Sequence, residues 1–450
     1  MENAILQNPA VTLIAFAAVI VLLFWLIAKT KWHVFLALLV PILLFGLVPG
    51  VNLELFIKAF ETGFGKTVQG IAIVIVLGSI IAEALKHTGG VEKITLTMIQ
   101  WVGEKRMPLA LTLSGFVIGI AIFSDIGYVI LNPLVHGAAI AAGTNMSVMA
   151  TGLVGAMQLT HAMVPPTPGP LAAAAVVGAD IGTIIVYGCI ATFVGSIAGY
   201  IYSKIVGPKV PSPPSKEFLG TSFVETGREL PSTPRAYAPI LVPLILIALQ
   251  SVFKNALAPE HVLNTIFAYI GWPVVAMLIG VALCYLNVKD EETKKKFFNP
   301  WIEDALRTSA MIIVVTGLGG SLSELLKGTP AVDTIAASVA ASGIPSIFLP
   351  FVLGVVGNMI TGSTTVGVIT AASLTAPMLG TLGLSAEAAM LAGAAGSVII
   401  KYVNSSYFWV CTSLSRMELR SALISYGGVT FVGGVFSMIA VYIMWLIGLI

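Results

Sequence analysis

Charge is scarce in this sequence. Only 10% of its 450 residues are Asp, Glu, Lys or Arg, against 57% that are apolar, a balance far from that of a soluble domain. The net formal charge of +2 gives no basic surface for nucleic acid. Cysteine is scarce too: Cys189, Cys284 and Cys411 are an odd, dispersed set in apolar segments, which speaks against a disulfide framework or a metal centre. The five histidines (His33, His87, His136, His161, His261) form no HExxH pattern, and no nucleophile and base pair up on facing helices, so neither an enzyme nor a cofactor is indicated. No Lys or Arg precedes the first apolar segment; without the basic region of a signal peptide, that segment reads as a retained first helix.

Long apolar runs are what the chain does have, with a mean hydropathy of +0.98. Stretches 11–28, 34–49, 236–253, 267–287 and 422–450 reach or approach the ~20 residues that cross a bilayer as a helix. The sequence therefore predicts an all-α polytopic membrane protein whose main partner is the lipid bilayer. Helices are expected at about 11–28, 34–49, 66–86, 147–163, 168–178, 181–205, 236–253, 267–287, 301–323, 386–404 and 420–448.

The chain also repeats itself. Residues 67–94 match 308–335 at 11 of 28 positions, pairing Thr67 with Thr308, Gly78 with Gly319, Glu83 with Glu324, Lys86 with Lys327 and Thr88 with Thr329. Shared hydrophobicity alone does not match polar positions, and such repeats are a signature of secondary transporters. FVIG at 116–119 resembles FVLG at 351–354, and Tyr187-Gly188 resembles Tyr426-Gly427. The halves are 1–206 and 236–450, joined at 207–235 by a Pro-, Ser- and charge-rich linker that reads as a cytoplasmic tether. Glu83 and Glu324, at equivalent helix ends, read as structural caps.

Two apolar segments do not suit simple spanning. Residues 107–140 and 344–380 carry Ser124-Asp125 and Thr361-Gly362-Ser363-Thr364-Thr365 near their centres, which suits hairpins that enter the membrane and turn back where protein or water covers them. Charge tests this layout, because short cytoplasmic loops collect Lys and Arg. With both hairpins re-entrant and both termini outside, Lys29, Lys31, Lys86, Lys93, Lys105, Arg106, the 204–235 loop, Lys289, Lys294 to Lys296, Arg307, Arg416 and Arg420 all fall inside. The repeat is then inverted, since 66–86 runs inward and 301–323 outward.

The chemistry is expected where equivalent elements break. Residues 158–170 read QLTHAMVPPTPGP, with four prolines and a glycine in the last seven. Proline removes backbone donors and blocks the preceding turn, so this helix must unwind near mid-membrane and free backbone groups as ligands. Candidates here are His161, Pro166, Thr167 and Gly169. The matching stretch IIKYVNSSYFW supplies Lys401, Asn404, Ser405 and Ser406. The hairpin tips add Ser124, Asp125, Gly127 and Tyr128 from one half, and Thr361, Gly362, Ser363, Thr364 and Thr365 from the other. Asp125 is a carboxylate in an apolar run, which is a functional candidate by default. Asp125 and then His161 are the candidates to carry a coupling proton, since an imidazole ordinarily titrates near neutral pH; Lys401 is a candidate counter-ion. Hydroxyl- and carbonyl-rich breaks also suit Na⁺. A channel would need a continuous polar path, whereas polarity here is concentrated at two breaks.

These motifs resemble the GntP family of gluconate permeases: THAMVPPTPGP fits its T-H-x3-P-P-x-P-G-P signature, with FSDIGYVILNPL before it, TGSTTVGVIT later and VNSSYFW near the end. The resemblance covers nearly the whole chain. It implies a bacterial inner-membrane symporter, generally proton-coupled, for gluconate, related sugar acids or in some members D-serine. It also implies membership of the ion transporter superfamily, with inverted repeats, re-entrant hairpins and often a homodimer. Thr167 stands where many gluconate permeases have His, Asp125 where they have Glu, and Ser405-Ser406-Tyr407 where they have Asp-Pro-Gly. Glycerate or a four-carbon aldonate thus competes with gluconate as the small organic anion.

Overall fold

The structure is a computed structural model that describes residues 5–6, 8–30, 32–218, 229–258, 260–327, 329, 334, 337–338, 341–403 and 405–450. Among these there are helices and turns but no strand. The first half comprises α1 (Pro9–Ala28), α2 (Val34–Phe45), α3 (Leu53–Thr88), α4 (Gly90–Val102), α5 (Met107–Ala121), α6 (Ser124–Ala141), α7 (Met146–Met163), α8 (Pro168–Val177) and α9 (Ile181–Val206). The second comprises α10 (Thr233–Ala256), α11 (Val262–Ile270), α12 (Pro273–Tyr285), α13 (Ile302–Lys327), α14 (Phe348–Thr361), α15 (Thr364–Thr375), α16 (Ala386–Ile399), α17 (Ser406–Leu414) and α18 (Gly428–Leu446). Eight helical stretches among the described residues are long and apolar enough to cross a membrane, or nine if the pair α11–α12 counts as one bent span.

Sequence periodicity and structure part company at a few boundaries. Gly271-Trp272-Pro273 interrupts the single helix expected at 267–287, and α11 and α12 meet at a 62° bend. Proline fixes its own φ and disfavours helix in the residue before it, so α12 starts afresh at Pro273. α3 begins at Leu53, capped by the Asn52 side chain on the Leu55 amide at 3.1 Å, well before the apolar run starts. The helix expected at 386–404 ends at Ile399, and α17 starts anew at Ser406. α4 was not anticipated; it packs one face against α5 and α10.

Both polar-centred segments form helical hairpins. Gly152 faces Thr112, Gly115 faces Leu153, and Gly119 faces Met157 and Thr160, so α5 runs parallel to α7. Only residues 142–145 join α6 to the start of α7; α6 therefore runs back from the turn at Ile122-Phe123. In the other half Gly393 faces Pro350 and Gly354 faces Ser397, while Gly357 faces Gly367. α14 thus runs parallel to α16, and α15 returns antiparallel to α14. Gly119 and Gly354, the last residues of FVIG and FVLG, occupy equivalent contacts. A Cβ at either would meet backbone of the neighbouring helix.

Counterpart helices of the two halves cross antiparallel. The repeat-equivalent helices α3 and α13 pack antiparallel, with Gly63 and Thr67 facing Gly320 and Ser309 Oγ donating to Ser79 Oγ at 2.9 Å. α9 and α18 also cross antiparallel, Gly195 facing Gly433 and Gly199 facing Val429. Small residues let these backbones approach closely, the mode of association that apolar surroundings favour. The halves interlock as well: α8 packs on α15 of the other half, and α6 packs on α17.

The first part of the linker is docked. Ser212 Oγ accepts from the Ser147 amide at 2.8 Å, the Ser215 amide donates to His136 Nδ1 at 3.0 Å, and the Phe218 ring stacks on His136 with centroids 4.9 Å apart. Arg416 pairs with Glu217 at 2.7 Å. Residues 207–218 are thus held against α6, α7 and the end of α17. Glu83 pairs with Lys86 at 3.0 Å and Glu324 with Lys327 at 3.3 Å, so the equivalent carboxylates make equivalent contacts within their helix ends.

Candidate functional site

Three helix breaks line one cavity, and a fourth lies beside it at the end of the helix that contributes Gln158 and His161. The first follows α7, where Pro165, Pro166 and Pro168 supply no amide hydrogens. Thr167 Oγ1 lies 2.9 Å from the His161 carbonyl and 2.7 Å from that of Val164, serving acceptors that the lost helical turn has freed. The second follows α16: Lys401 Nζ donates to the Gly362 carbonyl at 3.3 Å, and the Tyr402 hydroxyl donates to the Met359 carbonyl at 3.1 Å. These bonds tie the second break to the tip of the second hairpin. The two hairpin turns are the other breaks, and Ser124 Oγ anchors the first to α7 by donating to the Met157 carbonyl at 3.1 Å.

The cavity between them measures about 390 Å³, within the range of small-molecule sites. Of the residues singled out from sequence, it is lined by Ser124, Asp125, His161, Thr361, Gly362, Ser363, Thr364, Thr365, Lys401, Ser405 and Ser406. Gly127, Tyr128, Pro166, Thr167 and Gly169 are not in its walls. The Tyr128 hydroxyl bonds to Ser415 Oγ deep in the bundle, and Gly169 lies behind Thr365. Asn404 lies outside the described residues. Three wall residues escaped the sequence reading: Phe123, Gln158 and Tyr407. Gln158 Nε2 donates to Thr364 Oγ1 at 2.8 Å, joining the broken helix of one half to the hairpin of the other.

The electrostatics of this space are asymmetric. Helices α6, α15 and α17 all begin in its wall, at Ser124, Thr364 and Ser406. Among the described residues no side chain caps α6 or α17, whereas Ser363 Oγ caps α15 on the Val366 amide at 3.3 Å. Three positive helix ends in one wall favour an anion. Lys401 strengthens that preference: it is only 3% exposed, and no ion pair is formed by it among the described residues. Asp125 is exposed in the same wall, with Oδ1 accepting from the Ile126 amide at 3.0 Å. His161 is buried, its ring 5.5 Å from that of Phe123, and its Nδ1 has no partner among the described residues. The site therefore joins one cation, one carboxylate, one imidazole and a ring of hydroxyls, a set that can hold a hydroxylated anion and a proton together.

Comparison with known proteins gives a consistent picture. A family model described as GntP family permease matches residues 11–449. A gluconate permease of Pseudomonas aeruginosa is 29% identical over 98% of this chain and 99% of its own length. The D-serine transporter DsdX of Escherichia coli K12 is 29% identical over 94% of this chain and 96% of its own. Among solved structures, the YdaH transporter of Alcanivorax borkumensis, described as having an unusual topology, superposes with a TM-score of 0.62 at 14% identity, covering 88% of this chain and 90% of that one. At that identity the likeness speaks to fold alone.

Proposed function

Because the chain belongs to the GntP family of permeases, a multi-pass membrane transporter and not an enzyme, we propose that it imports a small hydroxylated monocarboxylate by proton symport. The substrate would be a gluconate-like sugar acid, glycerate or a tetronate. The observation that carries the reading is the meeting of three helix N-termini with buried Lys401 in one hydroxyl-rich cavity. The carboxylate would sit at Lys401 and the free amides of α17, and the substrate hydroxyls would bond Gln158 and Thr361 to Thr365. Asp125 would hold the proton, because two like charges in one cavity repel unless one is neutralised; His161 is the other group able to do so.

Both polar-centred hairpins would be re-entrant, with their tips at mid-membrane. The inner-membrane permease among its relatives supports a bacterial inner-membrane placement, and the Lys and Arg distribution supports both termini outside and the linker inside. A homodimer belongs to the same reading, and cross-linking in native membranes tests it.

A second reading has its own support. Asp125 and Lys401 place a carboxylate and an ammonium in one cavity, which also matches the two charges of a neutral amino acid such as D-serine. Uptake into proteoliposomes separates the alternatives. Radiolabelled gluconate should accumulate when the interior is made alkaline at constant Na⁺ and should be displaced by unlabelled sugar acids. Accumulation that follows a sodium gradient at constant pH would refute proton coupling, and selective displacement by D-serine would favour the amino acid.

A further inference from the structure

A second, much smaller space lies between α7 and the segment that leads into α18. It measures about 10 Å³, enough for one water molecule. Thr151 and Tyr426 stand in its wall, each 2% exposed, and neither Thr151 Oγ1 nor the Tyr426 hydroxyl has a partner among the described residues. A buried hydroxyl left unsatisfied costs about 1–3 kcal/mol, and two of them facing one water-sized space supply the polar partners that a trapped water requires. No carboxylate lines the space, so a hard cation would find no counter-charge there.

The position of this space gives it meaning. On one side is Tyr407, a wall residue of the large cavity, whose hydroxyl donates to the Val154 carbonyl at 3.2 Å and bonds to Cys411; Val154 and Cys411 are walls of the small space. On the other side is Ser425, also in its wall, whose Oγ donates to Ser147 Oγ at 2.9 Å; Ser147 Oγ in turn bonds to Ser212 Oγ of the docked linker. Tyr407 and the Cys411 thiol on one side, and Ser425, Ser147 and Ser212 on the other, are thus separated by this space, which is the size of a water.

We infer that one water molecule occupies this space, bonded to Thr151 and Tyr426, and completes a path along which the coupling proton passes from Tyr407 to Ser212. The proton-symport reading above is its premise. Each oxygen on the path, and the Cys411 sulfur that stands between Tyr407 and the water, passes on its own proton as it accepts one from behind. One proton enters at Tyr407, one leaves at Ser212, no oxygen changes its net protonation, and the hydroxyls then rotate back.

Thr151→Val, Tyr426→Phe and Ser425→Ala each remove one hydroxyl at nearly constant shape. In proteoliposomes, with whichever of radiolabelled gluconate and D-serine the wild type takes up, the initial rate of pH-driven accumulation should fall about tenfold or more, a barrier increase of about 1.4 kcal/mol. Counterflow at equal pH on both sides should stay at the wild-type rate, which also reports correct folding. Thr151→Ser, which restores a hydroxyl, should recover the driven rate. Wild-type driven rates in all three variants would overturn the relay and leave proton symport standing. A wild type that ignores the pH gradient would overturn both. If one variant fails to fold, the other two and the Thr151→Ser rescue still decide the matter.

Discussion

Replacing Lys401 by Met separates a binding role from a structural one, because the two predict opposite signs. The ammonium is 3% exposed and donates to the Gly362 carbonyl at 3.3 Å. A carbonyl does not neutralise a charge, so burial of this ammonium is only partly compensated while the site is empty. A substrate carboxylate would complete it. Truncating one partner of a buried charge pair costs about 2–5 kcal/mol, and a charge-assisted hydrogen bond contributes about 1.5–3 kcal/mol. A loss of about 2–4 kcal/mol at about 1.4 kcal/mol per decade makes Kd about 30- to 700-fold weaker. Met keeps the apolar stem and removes the charge, so the empty protein should melt at the same temperature or higher. Isothermal titration of purified protein with gluconate and D-serine gives the first quantity, and thermal unfolding without ligand gives the second. Unchanged affinity would refute the assignment of Lys401 as counter-ion. A lower melting temperature would show instead that the bond to Gly362 holds the hairpin tip in place.

Three further outcomes follow from the geometry. Asp125→Asn keeps the shape and the Ile126 contact but cannot release a proton; counterflow should persist while pH-driven accumulation disappears, and retained accumulation in proteoliposomes would exclude Asp125 as coupling group. Gly119→Leu or Gly354→Leu forces a side chain into the backbone of the parallel helix, which should lower stability by at least about 1–3 kcal/mol, read as lost yield and a depressed Tm in detergent. Arg416→Ala breaks an ion pair whose partners are 53% and 68% exposed; such pairs contribute about 1 kcal/mol at most, so proteolysis of the linker should be little changed.

The broken helices and hairpins were legible to different degrees. Four prolines at 164–170 announce a break whatever surrounds them, and the observed unwinding lies between Met163 and Pro168. The second break carries no proline, so only its polar residues marked it, and a continuous helix to 404 was a reasonable expectation. Both hairpins showed as polar centres in apolar runs, and their turns fall beside Ser124 and at Gly362 and Ser363. Gln158 was not legible as a site residue, because a lone amide on a buried helix has no periodic signature and its partner Thr364 is 206 residues away. Tyr407 has the look of any core aromatic. The docked linker was hidden for a related reason: its Pro and Ser content describes a chain without its own core, while the partners that hold it, Ser147 and His136, belong to other elements.

The antiparallel crossing of α3 and α13 bears on how the protein is made. Ser79 meets Ser309 across 230 residues of sequence, and at the usual ~5–20 residues per second this separation amounts to about 10–50 s of synthesis. During that interval α3 is in the bilayer without its packing partner, and the Asp125 hairpin waits for α17 to cover it. The N-terminal half is therefore a long-lived assembly intermediate. A lesion in the late-emerging half, at Gly320 or Gly354 for instance, would strand a correctly inserted first half for the membrane quality-control proteases to remove.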